Sequence, residues 1–340
     1  MSKKRQKENK KEEKIRKKKK KSFIGRLFLF LVYEVIVGGI FSLLIAFYGP
    51  FDNVKSTLVG TAMATYKHQY IATTFLSKDE INKILNKDKG ISNSSLKENY
   101  GDIKIKNKYG NSVERYDINT AKFDGYILEI KNPQKVKIGY TKYMGKMGER
   151  TSKMAERHGA VAAVNGGGFR DVSSTGKLWT GTGAYPEGLV ISNGKVIYND
   201  FKSGQKVNVT AFTKEGLLVV GDHTVDELLK MGVVEALSFR NTLIINGKPI
   251  PYNEGINPRT AIGQKQDGTI VLLVIDGRRG IKQGATLEEV ENILLQRGVV
   301  NASNLDGGSS STMYYKGKVI NRPCNWDGER TVATSIYVEP

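Results

Sequence analysis

Near the C-terminus, Asn304-Leu305-Asp306-Gly307-Gly308-Ser309-Ser310-Ser311-Thr312 places one carboxylate, two glycines and four hydroxyls in a single short stretch. A carboxylate can relay a proton or attack an electrophilic carbon, and hydroxyls rotate to match a sugar's donors and acceptors. Adjacent glycines admit positive φ and let another group come close to the main chain. The stretch therefore suits a sugar or a phosphate. It would equally serve as a tight turn whose Asp and Ser side chains cap local amides.

Three more stretches carry dense polar groups: Asn165-Gly166-Gly167-Gly168-Phe169, Asn257-Pro258-Arg259-Thr260 and Asp276-Gly277-Arg278. The last follows an almost unbroken apolar run over 269–275, expected to be a central, buried strand. An acid and a base thus arrive where a cleft would lie, although Asp276 and Arg278 could also form a structural ion pair about a turn glycine. Asp276 and Asp306, from separate loops, meet the needs of glycosidic cleavage: one acid for the leaving oxygen, one carboxylate as base or nucleophile. Arg259, Arg278 and Arg330 offer bidentate hydrogen bonds to a phosphate.

His68, His158 and His223 are the only histidines, and none lies in these stretches, so a Ser-His-Asp hydrolase or a His-rich zinc site is poorly supported. No glycine stretch completes a dinucleotide or P-loop signature, which disfavours nucleotide binding. Asp276, Asp306 and Asn304 could take a hard divalent cation through oxygen, so a metal-dependent phosphodiesterase is a third reading and the metal requirement stays open.

The elements that must position these residues alternate short strands with few helices. Leu287, Val290, Ile293 and Leu294 share a helical face over 286–296, with Glu288 and Glu289 in the first turn. Further helices are expected over 151–156 and 225–230, and strands over 126–130, 136–140, 160–164 and 313–320. Asn193-Gly194, Asn246-Gly247, Asp267-Gly268 and Lys316-Gly317 read as hairpin turns. Many hairpins and few helices predict an α+β fold with a mixed, mostly antiparallel sheet and packed helices.

The N-terminal end differs in kind. Residues 1–21 hold thirteen Lys or Arg against three Glu, +10 of the chain's net +19, which leaves +9 for the remainder. Residues 27–48 are apolar apart from Glu34 and Ser42. As a helix they reach roughly 33 Å, enough for a hydrocarbon core of about 30 Å. The basic flank precedes this run, so the positive-inside rule predicts a cytoplasmic tail (1–26), a transmembrane helix (27–48) and everything after Tyr48 outside the cell membrane. Anionic lipid accounts for the polybasic tail more simply than nucleic acid. Glu34, Gly38 and Ser42 offer a possible helix–helix contact. Residues 49–111 read as a helical stalk, 58–75, then a capped helix, 78–86, started by Ser77-Lys78-Asp79-Glu80, and a linker, 87–111. The lone cysteine, Cys324, has no partner for an internal disulfide, so the exported domain at 112–340 must rely on its core.

The order of Asn165-Gly166-Gly167-Gly168-Phe169, Pro186-Glu187-Gly188-Leu189-Val190, Asn257-Pro258-Arg259-Thr260-Ala261-Ile262-Gly263, Asp276-Gly277-Arg278, the Asp306 stretch and Arg330 resembles the phosphodiester glycosidase family. The resemblance covers 125–338, and the anchor and stalk are similar to the membrane-tethered form of Gram-positive bacteria. One departure is Gly167-Gly168 before Phe169, where the family often has an aromatic pair. The resemblance implies cleavage of the glycosidic C–O bond of a sugar-1-phosphodiester, in cell-wall or surface polysaccharide such as exopolysaccharide, leaving a phosphomonoester.

On this reading Asp306 and Asp276 are the acid and base in either order, and Arg259 and Arg278 hold phosphate. Asn165 and Ser309 meet sugar hydroxyls, and Gly166, Phe169, Thr260, Asn304, Gly307, Gly308, Ser310 and Arg330 complete the substrate site. The competing class is a noncatalytic module that binds or assembles anionic wall polymer. Orientation is directly testable: protease added to intact cells should digest the chain beyond Tyr48 and spare the basic tail. Protection of the C-terminal region would reverse the expected topology.

Overall fold

The computed structural model describes residues 3–63, 69–86, 99–170, 181–252, 254–325 and 327–340. The chain divides into two compact units, Met1–Lys55 and Ser56–Pro340. The first holds the helix Lys3–Tyr48, which continues from the basic segment into the apolar one without a break. Within it Gly25–Tyr48, with a mean hydropathy of 2.4, is long and apolar enough to cross a membrane. By length and composition it suits an anchor or a signal sequence.

Between this helix and the main domain, Asp52–Met63, Gln69–Thr73 and Lys78–Asn86 are helical. Residues 64–68 and 87–98, with Tyr66 of the expected stalk and half of the expected linker, lie outside the described residues. The Ser77 capping box forms as read: Glu80 N donates to Ser77 Oγ at 3.2 Å and Ser77 N to Glu80 Oε2 at 2.9 Å. The rest of the linker lies against the domain. Ile103 is buried, and Lys104 N donates to Gln266 O at 2.8 Å.

The fold is α+β, and every strand pairing described is antiparallel. Three larger sheets replace the single sheet of the sequence reading. The first has seven strands in the order Val113–Asn119, Asp124–Ile130, Ile270–Ile275, Arg259–Lys265, Val299–Leu305, Thr242–Ile245 and Lys248–Pro249. The second has five: Lys195–Asn199, Leu189–Ser192, Val233–Ser238, Val207–Thr213 and Leu218–His223. The third also has five: Lys318–Val319, Met313–Tyr315, Ala162–Asn165, Thr334–Val338 and Val136–Tyr140.

Alternation along the strands sorts the apolar residues. In Ile270–Ile275, Ile270, Leu272 and Val274 face a core shared with Val190 and Leu237 of the second sheet and Val164 and Ile336 of the third. Val271, Leu273 and Ile275 face Leu287, Val290 and Leu294 of the helix Leu287–Gln296. The run is continuously apolar because both faces are covered. Leu228, on the helix Val225–Lys230, joins the apolar cluster of the second sheet, and Ala155, on the helix Thr151–Arg157, joins that of the third. The four hairpin turns occur as expected, with positive φ at Asn193, Gly194, Asn246, Gly247, Gly268, Lys316 and Gly317.

Helix Leu287–Gln296 also buries Glu291, whose Oε1 has no hydrogen-bond partner. Burial, helped by Glu288, pushes its carboxyl up to about 8. A raised acid binds its proton more tightly when folded, so this contribution is complete at low pH and declines as pH climbs from about 4.5 towards about 8. Glu291→Gln should flatten that decline, worth up to about 1.4 kcal/mol per pH unit, and raise the melting temperature at pH 8. Coincident melting curves for the two proteins at pH 8 would show the carboxylate to be solvated.

Candidate functional site

The three sheets end together at one place, and a buried amide joins two of them. Asn165, the last residue of Ala162–Asn165, is wholly buried. Its Oδ1 accepts from Thr260 Oγ1 at 2.9 Å and from Thr312 N at 3.1 Å, and its Nδ2 donates to the Asp306 carbonyl at 2.5 Å. Asp306 N in turn donates to Gly166 O at 3.1 Å. Both backbone groups of Asp306 are therefore held by the third sheet, while the strand Val299–Leu305 that delivers it belongs to the first. The second sheet joins through Ser238, whose carbonyl accepts from Gly168 N at 3.3 Å and whose Oγ accepts from Leu189 N at 3.0 Å.

The glycines follow from this crowding. A Cβ on Gly167 would stand 2.2 Å from Ser238 O, and one on Gly166 would stand 2.5 Å from Thr334 Oγ1. Gly307 is pressed against Pro258 O, at 2.8 Å from an added Cβ. Gly308 alone in this group needs the left-handed region, at φ +61°, and its open flank is filled by the Arg278 guanidinium.

A cavity of about 250 Å³ opens over this junction. Asp306, Gly307, Gly308 and Ser309 form its floor; Phe169, Glu187, Arg259, Arg278 and Arg330 are among its walls, and Ser56, Met63 and Ile84 of the preceding helices also line it. Arg259, which is buried, and Arg278, which is half-buried, differ sharply. Arg259 donates through Nε to Ala285 O at 3.1 Å, through Nη1 to Glu254 Oε2 at 2.6 Å and through Nη2 to Gly255 O at 2.5 Å. Arg278, with φ +57°, donates only through Nη2, to Asn257 Oδ1 at 2.8 Å. Its buried Nε and Nη1 have no hydrogen-bond partner, although the Cys324 thiol is near enough to favour its charge. Burial lowers the Arg278 pKa, and Asp306 is among the groups that oppose the shift. Arg330 stacks 4.7 Å above the Phe169 ring and donates through Nη1 to Ser309 Oγ at 3.5 Å.

The sequence model of the phosphodiester glycosidase family matches residues 158–339, more than half of the chain. The chain belongs to the phosphodiester glycosidase family. It is 32% identical over 203 residues to the SPbeta prophage-derived uncharacterized protein YomE of Bacillus subtilis, covering 56% of this chain and 29% of that protein. It is 31% identical over 212 residues to the N-acetylglucosamine-1-phosphodiester alpha-N-acetylglucosaminidase of Bos taurus, covering 54% of this chain and 38% of the relative. The chain thus spans roughly a third of the length of these curated relatives. The fold is that of the catalytic domain of the zebrafish N-acetylglucosamine-1-phosphodiester alpha-N-acetylglucosaminidase, described as auto-inhibited by its pro-peptide. That likeness has a TM-score of 0.56 and 24% identity over 68% of this chain and 86% of the zebrafish one.

Within this phosphodiester glycosidase domain, the residues singled out in the sequence divide into two groups. Asp306, Gly307, Gly308, Ser309, Phe169, Arg259, Arg278 and Arg330 line the cavity. Asn165, Gly166, Thr260, Asn304, Ser310 and Asp276 do not: they are packed behind it. The Asn165 amide is spent on the frame, Thr260 Oγ1 on Asn165, and the Gly166 carbonyl on Asp306. Asp276 accepts from Asn321 Nδ2 and from Arg322 N, both at 2.8 Å, while burial pushes its carboxyl above the ordinary range. The structure therefore does not bring Asp276 and Asp306 together as the two acids of one cavity.

Two more carboxylates stand on the wall, Glu254, which pairs with Arg259, and Glu187, not singled out as a site residue although it lies in the Pro186-Glu187-Gly188 motif. The signal for Glu187 was that motif, since its backbone N–H bonds Gly168 O at 2.9 Å and so ties it to the glycine run. Glu254, the partner of Arg259, gave no such signal. Among the described residues no cluster of three or more His, Cys, Asp or Glu has the geometry to hold a metal ion.

The unequal bonding of the arginines predicts unequal mutants. Arg259→Ala should cost stability, on the order of 3 kcal/mol, because it strands the Glu254 carboxylate. Arg278→Ala should leave the melting temperature near its starting value but weaken phosphodiester binding by about 10–100-fold, the worth of its charge-assisted bonds. Titration with a neutral sugar serves as control, and equal losses for both ligands would assign Arg278 to the fold.

Proposed function

We propose that the chain hydrolyses glycosyl-1-phosphodiesters of cell-wall or surface polysaccharide, from a domain held outside the cell by the helix at 27–48. The observation that carries this reading is a single cavity whose walls combine Asp306 and Glu187, carboxylates not paired with Arg259 as Glu254 is, with the unspent donors of Arg278. Family membership supports the reaction class. So does the name of the cattle relative, which specifies a glycosyl phosphodiester.

In the proposed reaction the phosphate rests against Arg278 and the sugar over Gly307-Gly308 and Ser309. One of the two carboxylates takes a proton from water, or attacks C1 itself, as the bond between C1 and the phosphate oxygen breaks. The phosphate oxygen keeps the electron pair, and the developing charge is met by a guanidinium already in place. Water's oxygen ends on the sugar.

The test uses the purified full chain, a sugar-1-phosphodiester and oxygen-labelled water. Label should appear in the released sugar and not in the phosphate. Of Asp306→Asn and Glu187→Gln, the one that neutralises the reacting carboxylate should lower turnover by about 10²–10⁴-fold and the other by less, both at an unchanged melting temperature. Label in phosphate would mean P–O cleavage. Tight binding with no sugar released would favour the noncatalytic wall-polymer module, which the +9 outside the tail would suit.

A further inference from the structure

A second cavity of about 330 Å³ adjoins the first. The two share Gly168, Glu187, Phe239 and Arg240, so the Glu187 wall is a partition and not an end. Beyond it the second cavity is lined by Phe201, Gln205, Lys206, Val207, Asn208 and Ser238. Several of these are already engaged. The Asn208 amide bonds Asp222 at 3.0 Å and Thr242 at 2.9 Å, and Ser238 Oγ accepts from Leu189 N.

What the second cavity leaves available is two aromatic rings and two cations. Lys206 is more than half exposed and meets Glu227 only at 3.8 Å. Arg240 is exposed and stands at the junction of both cavities. Neither volume alone goes beyond the low end of the about 300–1,000 Å³ of ordinary ligand cavities, whereas a ligand lying through both would use the partition residues from each side. Rings suit the apolar face of a sugar or polyol, and cations suit a further phosphate.

We propose that the substrate is an oligomeric glycosyl phosphodiester that runs through both cavities. The scissile phosphate lies against Arg278. The next unit of the chain lies between Phe201 and Phe239, with its own phosphate between Arg240 and Lys206. This rests on the hydrolase reading but adds to it a substrate length and a second anion site. A minimal sugar-1-phosphate methyl diester would fill only the first cavity.

The full chain is assayed on the methyl diester and on a matched dimer bearing two phosphodiesters. The expected kcat/KM for the dimer is at least about tenfold higher. Lys206→Glu, a change confined to the second cavity, should remove that preference while leaving the methyl diester unaffected. Binding of both ligands to Asp306→Asn, measured by calorimetry, separates the two readings. Preference for the dimer, lost on adding Lys206→Glu, would uphold the second site even if no turnover were found. Turnover of the methyl diester with no gain from the second phosphate would overturn the second site and leave the hydrolase intact. A preference that survives Lys206→Glu would overturn the anion site.

Discussion

The Asn165 carboxamide is the joint on which the site depends. A polar group this deeply buried must find partners for its donor and its acceptor, or its desolvation is uncompensated. Here the partners come from Thr260 on the first sheet and from Asp306 and Thr312 at either end of the loop. An aspartate in its place would have no N–H to give the Asp306 carbonyl, and a leucine would orphan three groups at once. Since Gly166 also takes the Asp306 N–H, the carboxylate projects from a residue whose backbone is held at both polar atoms. Its position is settled on folding and need not be ordered when a ligand arrives. The glycines at 166 and 167 then let the strand ends close up to contact distance.

Against this fixed carboxylate the arginines set the charge of the cavity. Arg259 lies at the wall, but its guanidinium is matched to a carboxylate and two carbonyls, so it behaves as part of the frame. Arg278 is in the opposite condition. It is a cation in a poorly hydrated place, with a backbone φ that is unusual for a residue with a side chain and donors that the protein does not satisfy. Arginine stays protonated even when burial works against it, so its unmet donors carry a desolvation cost. An anion bound there would remove that cost. Strain and unmet bonding concentrate at Arg278, while the neighbouring arginine carries the structure.

Local chemistry was legible in the sequence, and contacts between distant elements were not. The Asn-Gly and Lys-Gly turns, the Ser77 capping box, the helix over 286–296 and the apolar run before Asp276 each depend on a few adjacent residues, and each sits where it was read. The division into three sheets depends on pairings such as Ser335 with Asn165 and Thr260 with Leu305, which no short window contains. The same limit governs the site. Asp276 and Asp306 are equally plausible acids by type and by loop, but Asn321 and the Arg322 amide take the first, and both partners lie about 45 residues away in sequence. Glu187 stood only within a motif that carried the family resemblance, and its bond to Gly168 is what ties it to the cavity.

The chemistry proposed for the cavity also explains why a buried acid with a raised proton affinity, such as Asp276, is not needed at its wall. A glycosidase that expels an alcohol must protonate the departing oxygen, because an alkoxide is a poor leaving group. A phosphomonoester is different: its second ionisation lies near about pH 6, so it departs as a stable anion without first receiving a proton. The demand on the protein therefore shifts from an acid to a fixed positive group, and from there to whatever activates the incoming water. In the proposed reaction Arg278 would supply the first, and Asp306 or Glu187 the second. The remaining carboxylate is then free to orient sugar hydroxyls, and its separation from the phosphate matters more than its proton affinity. Asp306 and Glu187 beside a bound phosphate would repel it, so the proposed chemistry requires the opposing charges of Arg278 and Arg330 on the same walls.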